Sequence, residues 1–225
     1  MSDQSFLREV DEAVRHERYR ALWDKYGLYV LALAVLLVAG VAGYNAWTFW
    51  RQSQAQTAGA EFTQAVILAE SDDPKAKELL DALAKTGPAG YQVLARFQLA
   101  AAEAKAGKID DAVAAYDALA SDASVDRILQ GVAVLQAAGL RLDKADFAEM
   151  ERRLKPLVDA NSAWRYSARE LLGLSAYQQN DMREAERQFS TLLGDQGTPR
   201  SLRERADMML ALIVGTPQTL SSTAP

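Results

Sequence analysis

The chain has no cysteine and a single histidine, His16. The first absence excludes disulfides, zinc–thiolate sites, thiol catalysis and a lipid-modified cysteine anchor. The second leaves residues 17–225 without any imidazole for general-base or metal chemistry. His16 itself sits among Arg and Glu and reads as a solvated helix residue. Strand patterning is also scarce: after residue 50, Val and Ile are sparse and apolar residues do not alternate at period two. No phosphate loop and no HExxH-type metal motif is present. Residues 51–225 carry 20 basic and 24 acidic side chains without a dense basic patch, which argues against nucleic acid. The adjacent acids Asp110 and Asp111 fall where a helix is expected to begin, and negative charge there meets the positive end of the helix dipole. The expectation is a chain that is not an enzyme and has no catalytic, cofactor-binding or metal-binding residues.

Charge is missing altogether from Tyr26 to Trp50, where the chain reads YGLYVLALAVLLVAGVAGYNAWTFW. As a helix at about 1.5 Å per residue, this run exceeds the roughly 30 Å hydrocarbon core of a bilayer. Trp23, Tyr26 and Tyr29 cluster at one end and Tyr44, Trp47, Phe49 and Trp50 at the other, as interfacial aromatic belts do. Arg8, Arg15, Arg18, Arg20 and Lys25 precede the run, whereas Arg51 is the only basic residue between it and Lys75. The positive-inside rule therefore places residues 1–25 in the cytoplasm and residues 51–225 on the far side. A cleavable signal peptide is the rival reading, with residues 28–39 as its apolar core and Gly40-Val41-Ala42 as its cleavage site. The leading segment is long and holds six acids, unlike a short basic secretory n-region, and favours an uncleaved anchor. Within the run, Ala32, Ala39, Gly43 and Ala46 form a candidate face for packing another membrane helix, with Asn45 on the next turn. The plainer account is that Ala and Gly are common in such helices. Before the run, Phe6, Val10 and Val14 recur at four-residue spacing and Asp11 and Arg15 form an i,i+4 pair, which predicts a helix: an interfacial or contact helix is one reading, and a solvated helix with a narrow apolar stripe is the favoured one.

After residue 50, apolar residues recur at three and four, and Gly, Pro, Asn and Asp punctuate pieces of helical length. The stretch ARFQLAAAEAKAGKIDDAVAAYDALASD (95–122) aligns without a gap on ARELLGLSAYQQNDMREAERQFSTLLGD (168–195), at an offset of 73. Ala100 meets Gly173, Gly107 meets Asn180, Ala112 meets Ala185, Tyr116 meets Phe189 and Leu119 meets Leu192. That offset is twice the roughly 34-residue period of tetratricopeptide (TPR) repeats plus a few residues. The order of residue types resembles the TPR signature. Small residues stand where paired helices cross, Gly107 or Asn180 ends a helix in a left-handed conformation, and an aromatic plugs toward the next unit. A further unit is expected over about Ser53 to Lys85, where Ala76, Leu80 and Leu83 stand 36 before Ala112, Tyr116 and Leu119. Another spans about Val125 to Asp159, whose helices carry Ile128, Val132 and Leu135, then Phe147, Met150, Leu154 and Leu157, with a longer turn from Gly139 to Asp146. Residues 200–214 form a last helix that docks through Leu202, Met209, Leu212 and Ile213, since a repeat stack needs its end covered.

The expected fold is all-α. It has four domains of organisation: a cytoplasmic helical segment (1–25), a transmembrane helix (26–50), a TPR-like solenoid of about four degenerate hairpins plus a capping helix (51–215), and a polar disordered tail (216–225). This layout, with blocks such as LAAAEAKAGKIDDAVAAYDALA at 99–120, resembles the ancillary Sec-translocon subunits, the YfgM-like single-pass TPR proteins of the bacterial inner membrane. The resemblance implies residence in that membrane with the repeats in the periplasm. It also implies association with the protein-conducting channel, beside a membrane-anchored chaperone, and handling of exported proteins. Transferring the usual TPR groove positions marks Leu94, Phe97, Ala101, Ala104 and Lys105 in one unit, and Ser167, Glu170, Leu174, Tyr177 and Gln178 in another, as partner-binding candidates. Phe97 and Leu174 are equally suited to the core. The alternative is a structural subunit of another envelope complex, in division, secretion or outer-membrane assembly, which the fold alone does not distinguish. Neither reading calls for a small-molecule substrate, a cofactor or nucleic acid.

Overall fold

The computed structural model describes residues 3–159 and 162–215. It is helical throughout: α1 (Asp3–Glu70), α2 (Pro74–Thr86), α3 (Ala89–Lys105), α4 (Ile109–Ser121), α5 (Arg127–Arg141), α6 (Phe147–Val158), α7 (Arg165–Gln178), α8 (Met182–Gly194) and α9 (Arg200–Gly215). No strand occurs among the described residues. The chain divides into two compact units, Met1–Thr57 and Ala58–Pro225. The side chains of residues 1–22, His16 and the Phe6–Val10–Val14 stripe among them, lie outside the described residues, as does the tail 216–225.

In the first unit, α1 carries the charge-free run without interruption. From Leu31 to Trp47 every side chain is exposed, including those of Leu36, Val38 and Tyr44 at about 70%. A Cβ added at Gly40 or Gly43 would meet open space. The helix is long and apolar enough to cross a membrane, with a mean hydropathy of 2.2 over its most apolar window. Each exposed leucine or valine in water forgoes about 1.5–3 kcal/mol relative to burial, so a run of this length demands an apolar surrounding. Trp47 and Trp50 stack at its end with ring centroids 5.7 Å apart.

The second unit is four helical hairpins and a covering helix. The end of α1 pairs with α2, then α3 with α4, α5 with α6 and α7 with α8, and α9 lies against α8 and α7. Small residues set the spacing within hairpins. Ala100, Ala112 and Ala185 are buried, and a Cβ on Gly173 would stand 2.8 Å from the Phe189 ring. Tyr116, Phe189, Leu80, Leu119, Leu154 and Leu192 fill the successive cores. Ala76, Leu80 and Leu83 are buried in the first of them, at the positions expected from the 36-residue spacing.

Helix ends follow local chemistry. Asp73, Asp126, Asp146 and Asp181 each accept a backbone N–H at a helix start, worth about 1 kcal/mol apiece. Three first helices end in the same Schellman motif, with a left-handed residue at Asp72 (φ 56°), Gly107 (φ 78°) and Asn180 (φ 64°). The closing bonds are Asp73 N–H to Leu68 O (3.0 Å), Lys108 N–H to Glu103 O (3.0 Å) and Asp181 N–H to Ala176 O (2.9 Å). The 73-residue repeat thus extends to individual backbone hydrogen bonds.

The third hairpin has a shorter turn than expected, and its first helix buries a face of small residues. Gly139 does not begin the turn: α5 continues to Arg141, and the turn is Leu142–Asp146, closed by Lys144 and Ala145 N–H on Arg141 O. Ile128 does not face inward; it is 58% exposed, and the buried face of α5 is Gly131, Ala133, Ala137 and Ala138. Small residues prevail there because α5 lies close against α4 and because Trp164 lies over Gly131, where a Cβ would collide with the indole. At the last helix, Leu202 and Ile213 are buried and Met209 is half-buried, as expected, but Ala206 completes the docking face. Leu212 is 55% exposed and lies off that face, one residue round the helix from Ile213.

Candidate partner-binding surface

The candidate groove residues lie on α3 and α7, the first helices of the second and fourth hairpins. Their 73-residue equivalence is structural as well as sequential. Lys105, at the end of α3, reaches back to Asp72 in the preceding interhelical turn (Nζ–Oδ1 2.7 Å). Gln178, at the end of α7, donates to Asp143 in its preceding turn (3.0 Å). Glu170 accepts two hydrogen bonds from Arg205 of α9 (2.5 and 2.9 Å), and this partner raises the Arg205 pKa. Phe97 stacks on Tyr116 at 5.8 Å, and Leu174 and Tyr177 pack half-buried against the last core. Leu94 is the least engaged, 38% exposed, and Ala101 is exposed beside it on α3. These side chains are therefore brought onto the same succession of first helices, and three of them, Lys105, Glu170 and Gln178, already bind neighbouring units. On α1, Ala32, Ala39, Gly43 and Ala46 are exposed in the first unit.

Contacts between units that no motif announced carry much of the remaining polar structure. Arg141 binds Glu149 through two hydrogen bonds (3.1 and 3.2 Å) and reaches Asp110 at 3.4 Å. Arg153 pairs with Asp117 and approaches Glu149. Five charges from α4, α5 and α6 thus form one network. The Arg141 hydrogen bonds hold the Glu149 carboxyl below its ordinary pKa. After the second helix of two hairpins, Asp122 and Asp195 make matching turns, accepting N–H from Ser124 (3.0 Å) and Gly197 (2.8 Å). The Ser124 hydroxyl and the Arg96 guanidinium bring the Asp122 pKa down to about 2.

A cleft of about 700 Å³ opens between the end of α1, the start of α2 and the end of α3. Val66, Ala69, Leu80, Leu99, Ala102 and Ala106 give it an apolar floor. Lys77 and Lys105 stand at its edge with Glu70, Asp72, Asp73 and Glu103. Among the described residues, no cluster of three or more His, Asp or Glu side chains could hold a metal ion.

Stacked hairpins whose exposed surfaces offer grooves and ion pairs define a helical-repeat scaffold for protein contacts. The model of the tetratricopeptide repeat-like domain family matches residues 20–213, and the chain belongs to that family. Repeat domains of this kind mediate protein–protein interactions and are typically non-enzymatic; no catalytic family is indicated. No curated protein and no solved structure matches the chain.

Proposed function

We propose that the protein is a membrane-anchored TPR adaptor that works beside the protein-conducting Sec channel and handles exported proteins on the far side of the membrane. One observation carries this reading: the family match begins at residue 20 and so takes in the exposed apolar run together with the repeats. The tether and the scaffold are then one functional design. Residues 26–50 span the bacterial inner membrane once, residues 1–25 are cytoplasmic by the excess of Arg and Lys before the run, and residues 51–215 are periplasmic. The exposed positions on α3 and α7, led by Leu94, Lys105 and Gln178, are contact sites for translocon subunits, a periplasmic chaperone or exported clients. The small face Ala32–Ala39–Gly43–Ala46 is available for a partner's membrane helix.

A photo-crosslinking amino acid at Leu94 and at Gln178, in the full chain in intact cells, tests the assignment. Crosslinks to channel subunits or to newly exported chains are expected. Crosslinks confined to division, secretion or outer-membrane assembly proteins would replace the translocon with another envelope complex. A topology reporter after Ala224, together with the mass of the mature chain, checks the anchor. Cytoplasmic reporter activity would reverse the orientation, and loss of the first 42 residues would make the run a signal peptide.

A further inference from the structure

The internal repeat supplies its own control for the cleft beside α3. At the equivalent junction between the third and fourth hairpins, Gln179 closes the gap. Its Oε1 accepts Phe147 N–H (2.9 Å), and its Nε2 donates to Ala145 O (3.3 Å) and Ser175 Oγ (3.2 Å). Moved back by 73 residues, every member of that bridge is changed. Gln179 becomes Ala106, which has no amide. Phe147 becomes Pro74, which has no N–H to donate. Ser175, fully buried, becomes Ala102, which is exposed, and Leu174 becomes Ala101. Leu172, buried to 4%, becomes half-buried Leu99. The junction between the first and second hairpins is thus built like that between the third and fourth but without the side chains that close it, and the open volume lies within the usual range of binding pockets.

The charges at the edge select the occupant. Four acids and two lysines surround the apolar floor. Lys105 is held by Asp72 (2.7 Å), and Lys77 lies 3.8 Å from Glu103, which also pairs with Lys108 (3.0 Å). Among the described residues Glu70 has no ion-pair partner, and Asp73 is turned to the N-terminus of α2. The edge keeps a negative excess over an apolar floor.

We propose that this cleft binds a short apolar segment of a partner protein flanked by lysine or arginine, the apolar side chains covering Val66, Leu99 and Ala102 and the basic flanks meeting Glu70 and Asp73. This deepens the adaptor reading and rests on it. The full chain in uncharged phosphatidylcholine nanodiscs, titrated against a fluorescent peptide with a Leu-Phe-Leu centre and lysine pairs on both flanks, gives the readout by anisotropy. Saturable binding is expected, and the same peptide with glutamate flanks should bind about tenfold more weakly or worse. Ala106→Gln, which places at the mouth a residue that the fourth hairpin already accommodates, should weaken the lysine peptide by about tenfold. Glu70→Lys, at an exposed position that leaves the floor intact, should weaken the lysine peptide and strengthen the glutamate one. Equal affinity for both peptides, or binding that neither substitution changes while circular dichroism shows both variants folded, overturns the proposal. Binding to empty discs of the same size as to loaded ones assigns the signal to lipid and also overturns it. If the cleft fails in this way while crosslinks from Leu94 or Gln178 still capture translocon subunits, the adaptor reading stands without it.

Discussion

Single atoms decide how closely these helices approach. Gly131 lies under the Trp164 indole, whose Nε1–H donates to Ile128 O at 2.9 Å, so a methyl group there displaces the ring and breaks its bond. Gly131→Ala is expected to cost about 1–3 kcal/mol in denaturant unfolding, at the upper end of an overpacked site. A change below half a kcal/mol would mean the indole moves freely. Asp122 supplies a pH signature. Its carboxyl titrates near 2 in the folded chain against 3.8 ordinarily, so its contribution is present above about pH 4 and is lost as pH falls toward 2. Asp122→Asn should therefore lose less stability than the parent between pH 4 and pH 2, measured by thermal melts at each pH. Both residues show the limit of reading a chain by type. Asp122 stands in the aligned repeat and could be noticed, but nothing in the periodicity around Gly131 indicates that a tryptophan 33 residues onward will rest on it.

Elements are held together by two kinds of contact with different visibility. Periodic apolar positions such as Ala76, Leu80 and Leu83 could be read directly, because a helix buries the residues that recur at three and four. The charge network joining α4, α5 and α6 could not, apart from the i,i+4 pair Glu149 and Arg153, because Asp110, Asp117, Arg141 and that pair lie on three different helices. Arg153 is the most enclosed of the five, with its side chain 19% exposed. Arg153→Met should destabilise the domain by about 1 kcal/mol, and the deficit should shrink in molar salt, where the native network is itself screened. A deficit that salt leaves unchanged would assign the loss to packing of the arginine stem. The exposed α5 residue Ile128 follows the same logic: it stands in the apolar period of α5, yet the close approach of α4 and Trp164 selects the small-residue face of that helix for burial.

At the scale of the whole chain, two units with opposite solvent preferences share one polypeptide. The helix exposed along Leu31–Trp47 is long and apolar enough to cross a membrane, whereas the hairpin stack buries its own core. The full chain is accordingly expected to remain with membranes through alkaline carbonate washing. A chain beginning at Arg51 should stay in solution without detergent and keep a cooperative helical melt. Release of the full chain by carbonate would place it on the membrane surface. A non-cooperative melt of the shorter chain would show that the first hairpin depends on the preceding helix, since α1 continues unbroken into it.

Composition, the charge-free run and the 73-residue repeat were enough to specify an all-helical chain with one candidate span, four hairpins and a covering helix. Those features are local: hydropathy acts over a bilayer's width, and helical periodicity over a few turns. Tertiary structure decided which of the candidate groove residues also bind side chains of neighbouring elements. Lys105, Glu170 and Gln178 are bound by Asp72, Arg205 and Asp143, which meet them only when successive units stack. The open cleft is likewise a property of stacking. Ala102, Ala106 and Pro74 are unremarked residues in the chain, and they leave a gap because the fold brings together three places where the closing groups are missing.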